Sequence, residues 1–238
     1  MTITPIATRI FSEGEPLAPF IREHVATLRD GSVIAIASKI VALSQSRTLH
    51  RQSKQNKEAL IVRESDFALR TPQCWLTIKD NMLIPSAGID ESNANGRWVL
   101  LPAEPYRVAA ALRKSLLREY RIARLGVVIT DSMIIPLRAG VLGIAIAYSG
   151  FRGVRDYRGK KDIFGRTLNV SMTNVADSIA TAATLTMGEG AETQPLAVVD
   201  GAPVVFCSRT KKAEIVFGPK NDLFKPFFDA LRRMEKNK

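Results

Sequence analysis

Three segments of the sequence place a carboxylate beside glycine or other small residues. Asp90 lies in a loop-like segment, Asp131 follows the apolar run 125–130, and Glu189 lies between two glycines. Carboxylate and hydroxyl oxygens are the ligands that hard cations such as Mg²⁺ or Mn²⁺ prefer. Mg²⁺ usually takes only one or two protein carboxylates and shares its other positions with water and phosphate. Three acids from separate loops therefore predict two ions that bridge nucleotide phosphates.

Each segment taken alone also has an ordinary structural explanation. Asp90 could cap a turn or a helix, and the glycines around Glu189 could simply end a helix. Asp131 could equally be functional or structural. Other catalytic classes lack support, because the sequence has no Walker-type phosphate loop. The two histidines, His24 and His50, lie near no obvious nucleophile, so a serine or cysteine triad is not expected.

Positive charge is the second informative feature. The formal net charge is +11 and the sequence pI is about 10.0. Such a charge favours an anionic binding partner, which could be nucleic acid, an acidic membrane or a small phosphorylated substrate. Nucleic acid is disfavoured, because aromatic residues make up only 7% and do not alternate with basic ones. Arginine forks and lysine charges suit anionic substrates. The candidate substrate-binding residues are Arg138, Arg155, Arg158, Lys160 and Arg166.

The elements that position these residues are predicted from the spacing of apolar residues. Apolar runs predict strands at residues 33–37, 60–62, 75–78, 125–130, 141–148 and 168–175. Helical spacing predicts helices at residues 108–120, 175–187 and 224–234, with Pro105 near the start of the first. Residues 196–199 and 204–207 flank Asp200-Gly201 as in a hairpin. The fold class is α+β, with mixed sheets and flanking helices, and periodicity alone leaves the topology open.

The length and composition of the chain are those of an ordinary globular protein. Its 238 residues suffice for one large domain or two intimate subdomains, and without repeats or a long linker we predict a single domain over residues 1–238. No apolar run approaches the roughly 20 residues that span a bilayer, and residues 1–5 lack a secretory pattern. Cys74 and Cys207 are too few for a disulfide framework or a zinc site of their own. We expect a cytoplasmic location and no membrane partner.

Several longer motifs occur in a fixed order along the chain. They are AGIDESN at 87–93, LLP at 100–102, GVVITDS at 126–132, RAG at 138–140, AI at 145–146, DYRGKKD at 156–162, FGR at 164–166, VAD at 175–177 and MGEG at 187–190. Together they resemble the coenzyme F-420 γ-glutamyl ligase family. The resemblance spans nearly the whole chain and is densest between residues 87 and 201.

The resemblance implies a γ-glutamyl-ligase-like fold and a GTP-dependent enzyme that uses Mg²⁺ or Mn²⁺. In this family a carboxylate acceptor is phosphorylated to an acyl phosphate, which the amino group of L-glutamate attacks. Catalytic roles would fall on Asp90, Asp131 and Glu189, and the metal ligands would be Asp90, Asp131, Ser132 and Glu189. Nucleotide contacts would come from Ser38, Lys39, Asn93, Met187, Gly188, Glu189 and Gly190. The family also implies an intertwined homodimer.

The sequence departs from the family pattern at positions expected to touch substrates. Residues 8–11 lack the usual Gly-x-Pro, Leu43 replaces a nucleotide-contacting lysine, Ile134-Ile135 replaces a Gly-Arg pair, and the segment between Arg47 and Ser86 is shorter. These departures leave the predicted metal ligands in place. They leave other interpretations open: the protein could use ATP in place of GTP, act on another acceptor such as a folate, or be a non-catalytic relative that binds a nucleotide. A nucleic-acid-binding protein is the remaining alternative.

Overall fold

The computed structural model describes residues 1–51, 56–218 and 220–236. In chain order the elements are β1 (Thr2–Ile6), α1 (Leu17–His24), β2 (Ser32–Ala37), α2 (Ser38–Ser44), β3 (Thr48–His50), α3 (Lys57–Arg63), β4 (Phe67–Arg70), β5 (Trp75–Lys79), β6 (Met82–Pro85), β7 (Arg97–Val99), α4 (Pro105–Glu119), β8 (Leu125–Ile134), β9 (Val141–Ser149), β10 (Val154–Asp156), β11 (Met172–Asn174), α5 (Val175–Met187), β12 (Leu196–Asp200) and α6 (Lys225–Lys236). The chain folds into two compact units. Unit 1 comprises Met1–Gln45 and Pro102–Ile215, and unit 2 comprises Ser46–Leu101 and Val216–Lys238.

Unit 1 is built on a five-stranded sheet in the order β1-β12-β2-β8-β9. Strands β2 and β8 run parallel, and the other neighbours run antiparallel. The central strand β2 is apolar along nearly its whole length because both its faces are covered. Helix α5 packs on one face through its alanines, which allow close approach to Val33, Ala35 and Val128. This mixed sheet with flanking helices confirms the α+β prediction.

Unit 2 contains a two-stranded sheet, β3-β7, and a three-stranded sheet, β4-β5-β6. One cluster of buried side chains joins helix α3 to the segment that carries Asp90. Its members are Leu60, Ile61, Ala87, Ile89, Trp98 and Leu100. A second cluster packs Leu231 of α6 against Phe67 and Leu69 of β4. Asp90 is therefore anchored in a core distinct from that of the unit 1 sheet.

Most of the predicted elements are confirmed within a few residues. These are the strands at 33–37, 75–78 and 141–148 and the helices at 108–120, 175–187 and 224–234, with Pro105 as the first residue of α4. The elements that were not predicted are β1, α1, α2, β3, β4, β6, β7 and β10. The prediction of a single domain over residues 1–238 stays a prediction.

Four element predictions are wrong in part or in full. Residues 60–62 belong to helix α3, because Asn56 caps its start and a short apolar run fits either structure. The strand predicted at 125–130 continues to Ile134, and the strand predicted at 168–175 is confined to Met172–Asn174. Residues 204–207 form no hairpin with β12, because β1 and β2 occupy both edges of that strand.

No helix in the described parts of the chain combines the length and the apolar character needed to cross a membrane.

Candidate functional site

The carboxyl ends of the parallel strands β2 and β8 bring together two residues that the sequence singled out. Ala37, the last residue of β2, is paired with Thr130 of β8, so Ser38 at the start of α2 and Asp131 of β8 follow directly after this pair. The Ser38 hydroxyl, which is only 7% exposed, donates a hydrogen bond to Asp131 Oδ1 at 2.9 Å. The edge of a sheet at the carboxyl ends of parallel strands is a common place for ligand binding.

The next residue of the same strand forms a second pair. Ser132 Oγ donates to Glu189 Oε1 at 2.7 Å, which joins β8 to the segment after α5. Successive side chains of a strand point to opposite faces, so Asp131 and Ser132 serve two separate pairs rather than one. The pairs Ser38–Asp131 and Ser132–Glu189 thus place two carboxylates and two hydroxyls at one end of the unit 1 sheet.

Glycine at position 188 is required by the chain reversal that delivers Glu189. Gly188 has φ of 81°, in the left-handed region, and a Cβ there would overlap the side chain of Glu192. The Glu192 carboxylate in turn accepts a hydrogen bond from the Gly190 N–H at 2.7 Å. Sequence reasoning missed Glu192, although a second acid so close to a Gly-Glu-Gly motif is a visible feature. Met187 is only 5% exposed and packs in the core, which leaves its backbone for the predicted nucleotide contact.

Asp90 belongs to unit 2 and lies in an antiparallel bridge with Val99, with N–H to O distances of 2.9 Å in both directions. Its carboxylate accepts hydrogen bonds from Ser92 N at 2.7 Å and from Ser92 Oγ at 3.0 Å. The side chain therefore caps a turn, which is the structural explanation left open by the sequence. Its role as a metal ligand stays a prediction.

The backbone before Asp90 adopts an uncommon conformation. Ser86, Ala87 and Gly88 have φ values of 51°, 56° and 70°, and such angles are rare for residues with a Cβ. The fully buried Thr77 holds this turn: its hydroxyl accepts from Ala87 N at 2.8 Å and donates to the Ile84 carbonyl at 2.5 Å. Sequence reasoning missed Thr77, because a threonine in a strand gives no indication of its partners.

Glu91, the neighbouring acid, is held very differently from Asp90. It forms an ion pair with Lys57, contacts Arg51 Nη2 at 3.1 Å and accepts a hydrogen bond from Trp98 Nε1 at 3.2 Å. The hydrogen bond from Lys57 and the nearby charges lower the pKa of the Glu91 carboxyl, although partial burial opposes them. Because its charge is balanced within unit 2, we assign Glu91 a structural role.

The remaining nucleotide-binding candidates lie in both units. Lys39 is half-buried in α2 next to Ser38, whereas Asn93 is exposed in unit 2 with φ of 49°. Their contacts with a nucleotide stay a prediction.

The basic candidates on and after the β10–β11 hairpin are all exposed. Arg158 forms a two-pronged ion pair with Asp156, with a closest distance of 2.6 Å, and this hydrogen bonding lowers the pKa of the Asp156 carboxyl to about 2. Lys160 lies 5.3 Å from the centre of the Tyr157 ring. The guanidinium of Arg158 is therefore already engaged with a carboxylate of its own hairpin.

Two further basic candidates differ in their surroundings. Arg155 donates to the backbone carbonyl of Pro203, which ties the hairpin to the segment after β12. Arg138 is exposed in the turn between β8 and β9, and Arg166 is exposed beyond β10. None of these contacts tests the predicted binding of an anionic substrate, which stays a prediction.

Unit 1 offers oxygen ligands of the kind that hard cations prefer: the carboxylates of Asp131 and Glu189 and the hydroxyl of Ser132. Within the part of the chain that the structure describes, no group of three or more His, Cys, Asp or Glu residues could hold a metal ion. The chemistry of the ligand set fits Mg²⁺ or Mn²⁺, whose remaining positions are normally filled by water and phosphate.

Comparison with known proteins identifies related chains. The family model described as F420-0:Gamma-glutamyl ligase matches residues 5–201. The coenzyme F420:L-glutamate ligase of Methanopyrus kandleri is 33% identical, with 89% of this chain and 92% of that protein covered. The enzyme of the same name from Archaeoglobus fulgidus is 33% identical, with 82% of this chain and 85% of that protein covered. The one from Methanococcus maripaludis strain C7 is 31% identical, with 90% of this chain and 92% of that protein covered. The match includes Ser38, Asp90, Asp131 and Glu189 within its bounds.

Proposed function

The chain belongs to the F420-0:γ-glutamyl ligase family, and on that premise we propose that it joins L-glutamate to the carboxylate of a coenzyme F420-type acceptor. The reaction forms an amide bond and uses a nucleoside triphosphate, GTP in the first instance, as a co-substrate.

The proposed reaction has two steps. An oxygen of the acceptor carboxylate attacks the γ-phosphorus of GTP, the bond to the bridging oxygen breaks, and GDP leaves. The amino nitrogen of glutamate then attacks the acyl carbon of the resulting acyl phosphate, inorganic phosphate leaves, and the nitrogen loses a proton. Both steps need anionic groups held close together, so positioning and charge stabilisation are the main tasks of the protein.

The observation that carries the proposal is the presence of two hydroxyl–carboxylate pairs at the carboxyl ends of β2 and β8. Ser38 holds Asp131 at 2.9 Å, and Ser132 holds Glu189 at 2.7 Å. Each hydroxyl donates a hydrogen bond to the carboxylate, which fixes the orientation of that group before a ligand arrives. Carboxylates that are oriented in advance in this way support the binding of divalent cations with nucleotide phosphates.

We propose that Asp131, Ser132 and Glu189 of unit 1 hold Mg²⁺ or Mn²⁺, of which two ions are predicted. When bound, these ions would neutralise phosphate charge and polarise the transferred phosphoryl group. Ser38, Lys39 and the backbone of residues 187–190 in unit 1 would contact the nucleotide, and the roles of Asp90 and Asn93 in unit 2 stay predictions. Arg158 is paired with Asp156 and Arg155 donates to the Pro203 carbonyl, so we propose Arg138, Lys160 and Arg166 as the first candidates for contact with the acceptor.

The predicted homodimer is also part of the proposal. Its support is an exposed apolar surface at the end of the β8–β9 hairpin, where Ile134, Leu137 and Leu142 are 51%, 103% and 44% exposed. Light scattering coupled to size-exclusion chromatography would measure the mass directly, and a monomer at micromolar concentration would contradict this part of the proposal.

The test is mass spectrometry of acceptors incubated with the protein, L-glutamate, Mg²⁺ and GTP. We expect a deazaflavin acceptor to gain the mass of one glutamyl unit, with one phosphate released for each amide formed. Parallel reactions with ATP and with a folate acceptor separate the alternatives that the sequence left open. Tight GTP binding without product from any acceptor would contradict the proposed activity and favour a non-catalytic relative.

A further inference from the structure

Strand β9 carries a bulge beside the candidate site. Ile129 of β8 is paired with Ala147 of β9, whereas the next residue, Thr130, is paired with Ala145, so that Ile146 is an extra residue on β9. A bulge increases the local twist of a strand pair and re-aims the side chains that follow it, and bulges are frequent next to active sites. Here the residues that follow immediately on β8 are Asp131 and Ser132.

The side chain of Asp177, in the first turn of α5, contacts β9 at this bulge. Its Oδ1 accepts a hydrogen bond from the Ala145 N–H at 2.9 Å, and its Oδ2 accepts one from Asn174 Nδ2 at 2.5 Å. The Asp177 N–H donates to Asn174 Oδ1 at 3.1 Å, so the cap of the helix and the contact with β9 form one network. The carboxylate therefore fixes the β9 residue that is paired with Thr130.

Two further contacts hold the same helix against the same strand. Thr181 Oγ1 donates to the Gly143 carbonyl at 2.7 Å, and Gly143 is required there because a Cβ would overlap the side chain of Thr184. The far end of this helix leads directly to Glu189. Helix α5 thus connects the bulge at one end with a candidate ligand at the other.

A helix cap alone does not explain the position of Asp177. Burial of a carboxylate costs free energy unless hydrogen bonds compensate it. Burial raises the pKa of the Asp177 carboxyl, and the hydrogen bonds from Ala145 and Asn174 oppose this effect only in part. An exposed acid in the first turn would have interacted with the start of the helix without this cost, which indicates that the bond to β9 is the reason for the burial.

We propose that Asp177 is a positioning residue of the candidate site. Its hydrogen bond to Ala145 fixes the bulge in β9, and the bulge in turn sets the register in which β8 presents Asp131 to Ser38 and Ser132 to Glu189. This inference rests on the proposed ligase function, because the site is defined by that activity.

The test compares three substitutions at position 177 with a matched control. Asp177→Ala removes the acceptor, Asp177→Ser retains a polar residue suited to the first turn of a helix but too short to reach β9, and Asp177→Asn retains one acceptor oxygen. Ser178→Ala is the control, because Ser178 Oγ donates to the Asn174 carbonyl at 2.6 Å and does not contact β9.

Two measurements report on position 177. Hydrogen exchange of the ligand-free protein should be about tenfold faster or more in peptides covering residues 141–149 of the Ala and Ser variants. The Mg²⁺ concentration for half-maximal turnover should rise roughly tenfold in these variants, while the KM for glutamate changes less than about twofold. The Asn variant should recover most of the loss in both measurements, and the Ser178→Ala control should match the wild type.

The outcomes separate this inference from the proposed function. Wild-type exchange and Mg²⁺ dependence in Asp177→Ser would overturn the positioning role. Faster exchange with unchanged Mg²⁺ dependence would also overturn it, because Asp177 would then be purely structural. A wild-type protein without turnover on any acceptor would overturn the proposed function, and the inference with it, whatever the exchange data show.

Discussion

The two ends of the parallel pair β2–β8 hold carboxylates in contrasting ways. At the amino end, Asp30 accepts hydrogen bonds from the Arg124 guanidinium at 2.9 Å and from the backbone N–H groups of Ala123 and Arg124 at 3.0 and 2.6 Å. At the carboxyl end, Asp131 and Glu189 receive hydrogen bonds from serine hydroxyls. The Arg124 hydrogen bond lowers the pKa of the Asp30 carboxyl and balances its charge.

The two ends differ in the type of group that donates to these carboxylates. A guanidinium balances the charge of the carboxylate that it binds, whereas a serine hydroxyl orients a carboxylate without adding a charge. The amino end also contains a serine–carboxylate bond, from Ser32 Oγ to Asp200 Oδ1 at 2.5 Å, with Arg29 at 3.6 Å from the same carboxylate. The chain therefore offers matched controls for each substitution at the carboxyl end.

The largest effect is expected for Asp131→Ala. Removal of this carboxylate should lower turnover by roughly 10²-fold or more, because charge stabilisation at the transferred phosphoryl group is lost. Steady-state assays of phosphate release would measure it, with circular dichroism to verify the fold. Retention of wild-type turnover in the folded variant would contradict the assigned role.

A smaller effect is expected for Ser38→Ala. The variant loses the hydroxyl that orients Asp131, and the Mg²⁺ requirement or the KM for the nucleotide should rise by about tenfold. Its matched control is Ser32→Ala, at the opposite end of β2 and with the same type of bond, which should lower the melting temperature and leave both kinetic constants unchanged. Equal kinetic losses in the two variants would mean that the carboxyl end has no special role.

A pH effect on stability is expected at Glu64 in unit 2, another carboxylate with a structural role. Partial burial raises its pKa, but hydrogen bonds from Lys79 at 3.1 Å and Arg47 at 2.9 Å outweigh burial, so the net shift is downward. A carboxyl whose pKa is lower in the folded state stabilises the fold above its unfolded pKa and loses this contribution as the pH falls through its folded pKa.

Glu64→Gln should accordingly lower the melting temperature at neutral pH. The difference in melting temperature between the variant and the wild type should become smaller as the pH falls below about 4. Differential scanning calorimetry across this range would measure the change. A difference that grows on acidification would contradict the assigned ion pairs.

The smallest effect is expected for Asp30→Asn, because exposed ion pairs contribute little to stability. Turnover and Mg²⁺ dependence should remain within about twofold of the wild type, since the charge that is removed was balanced at the structural end of the strand pair. A loss of turnover comparable to that of Asp131→Ala would remove the distinction between the two ends.

The sequence singled out the acids of the candidate site but not the way in which they are held. Asp131 and Glu189 could be singled out because each lies at the end of an apolar or small-residue run. Their serine partners come from contacts distant in sequence: Ser38 approaches Asp131 through the parallel pairing of β2 with β8, and Ser132 approaches Glu189 in the segment after α5. Local spacing contains no information about either feature.

The fold was predicted where one element buries one clear apolar face, as in α4 and α5. The prediction was wrong at residues 60–62, where three apolar residues fit either a strand or a helix. It was also wrong at residues 204–207, which have the composition of a strand but cannot pair with β12 because β1 and β2 already occupy both edges of that strand. Competition for strand edges is a tertiary effect, so a hairpin inferred from a turn sequence can fail even when both flanks look suitable.

The proposal that the carboxyl end of β2–β8 binds divalent cations through Asp131 and Glu189 can be tested by electron paramagnetic resonance of Mn²⁺ titrated into the protein with GTP. The proteins to compare are the wild type, Asp131→Ala, Glu189→Gln and Asp30→Asn. We predict saturable Mn²⁺ binding by the wild type and Asp30→Asn, and an affinity weaker by about tenfold or more in the two carboxyl-end variants. Equal Mn²⁺ binding by all four proteins would contradict the account.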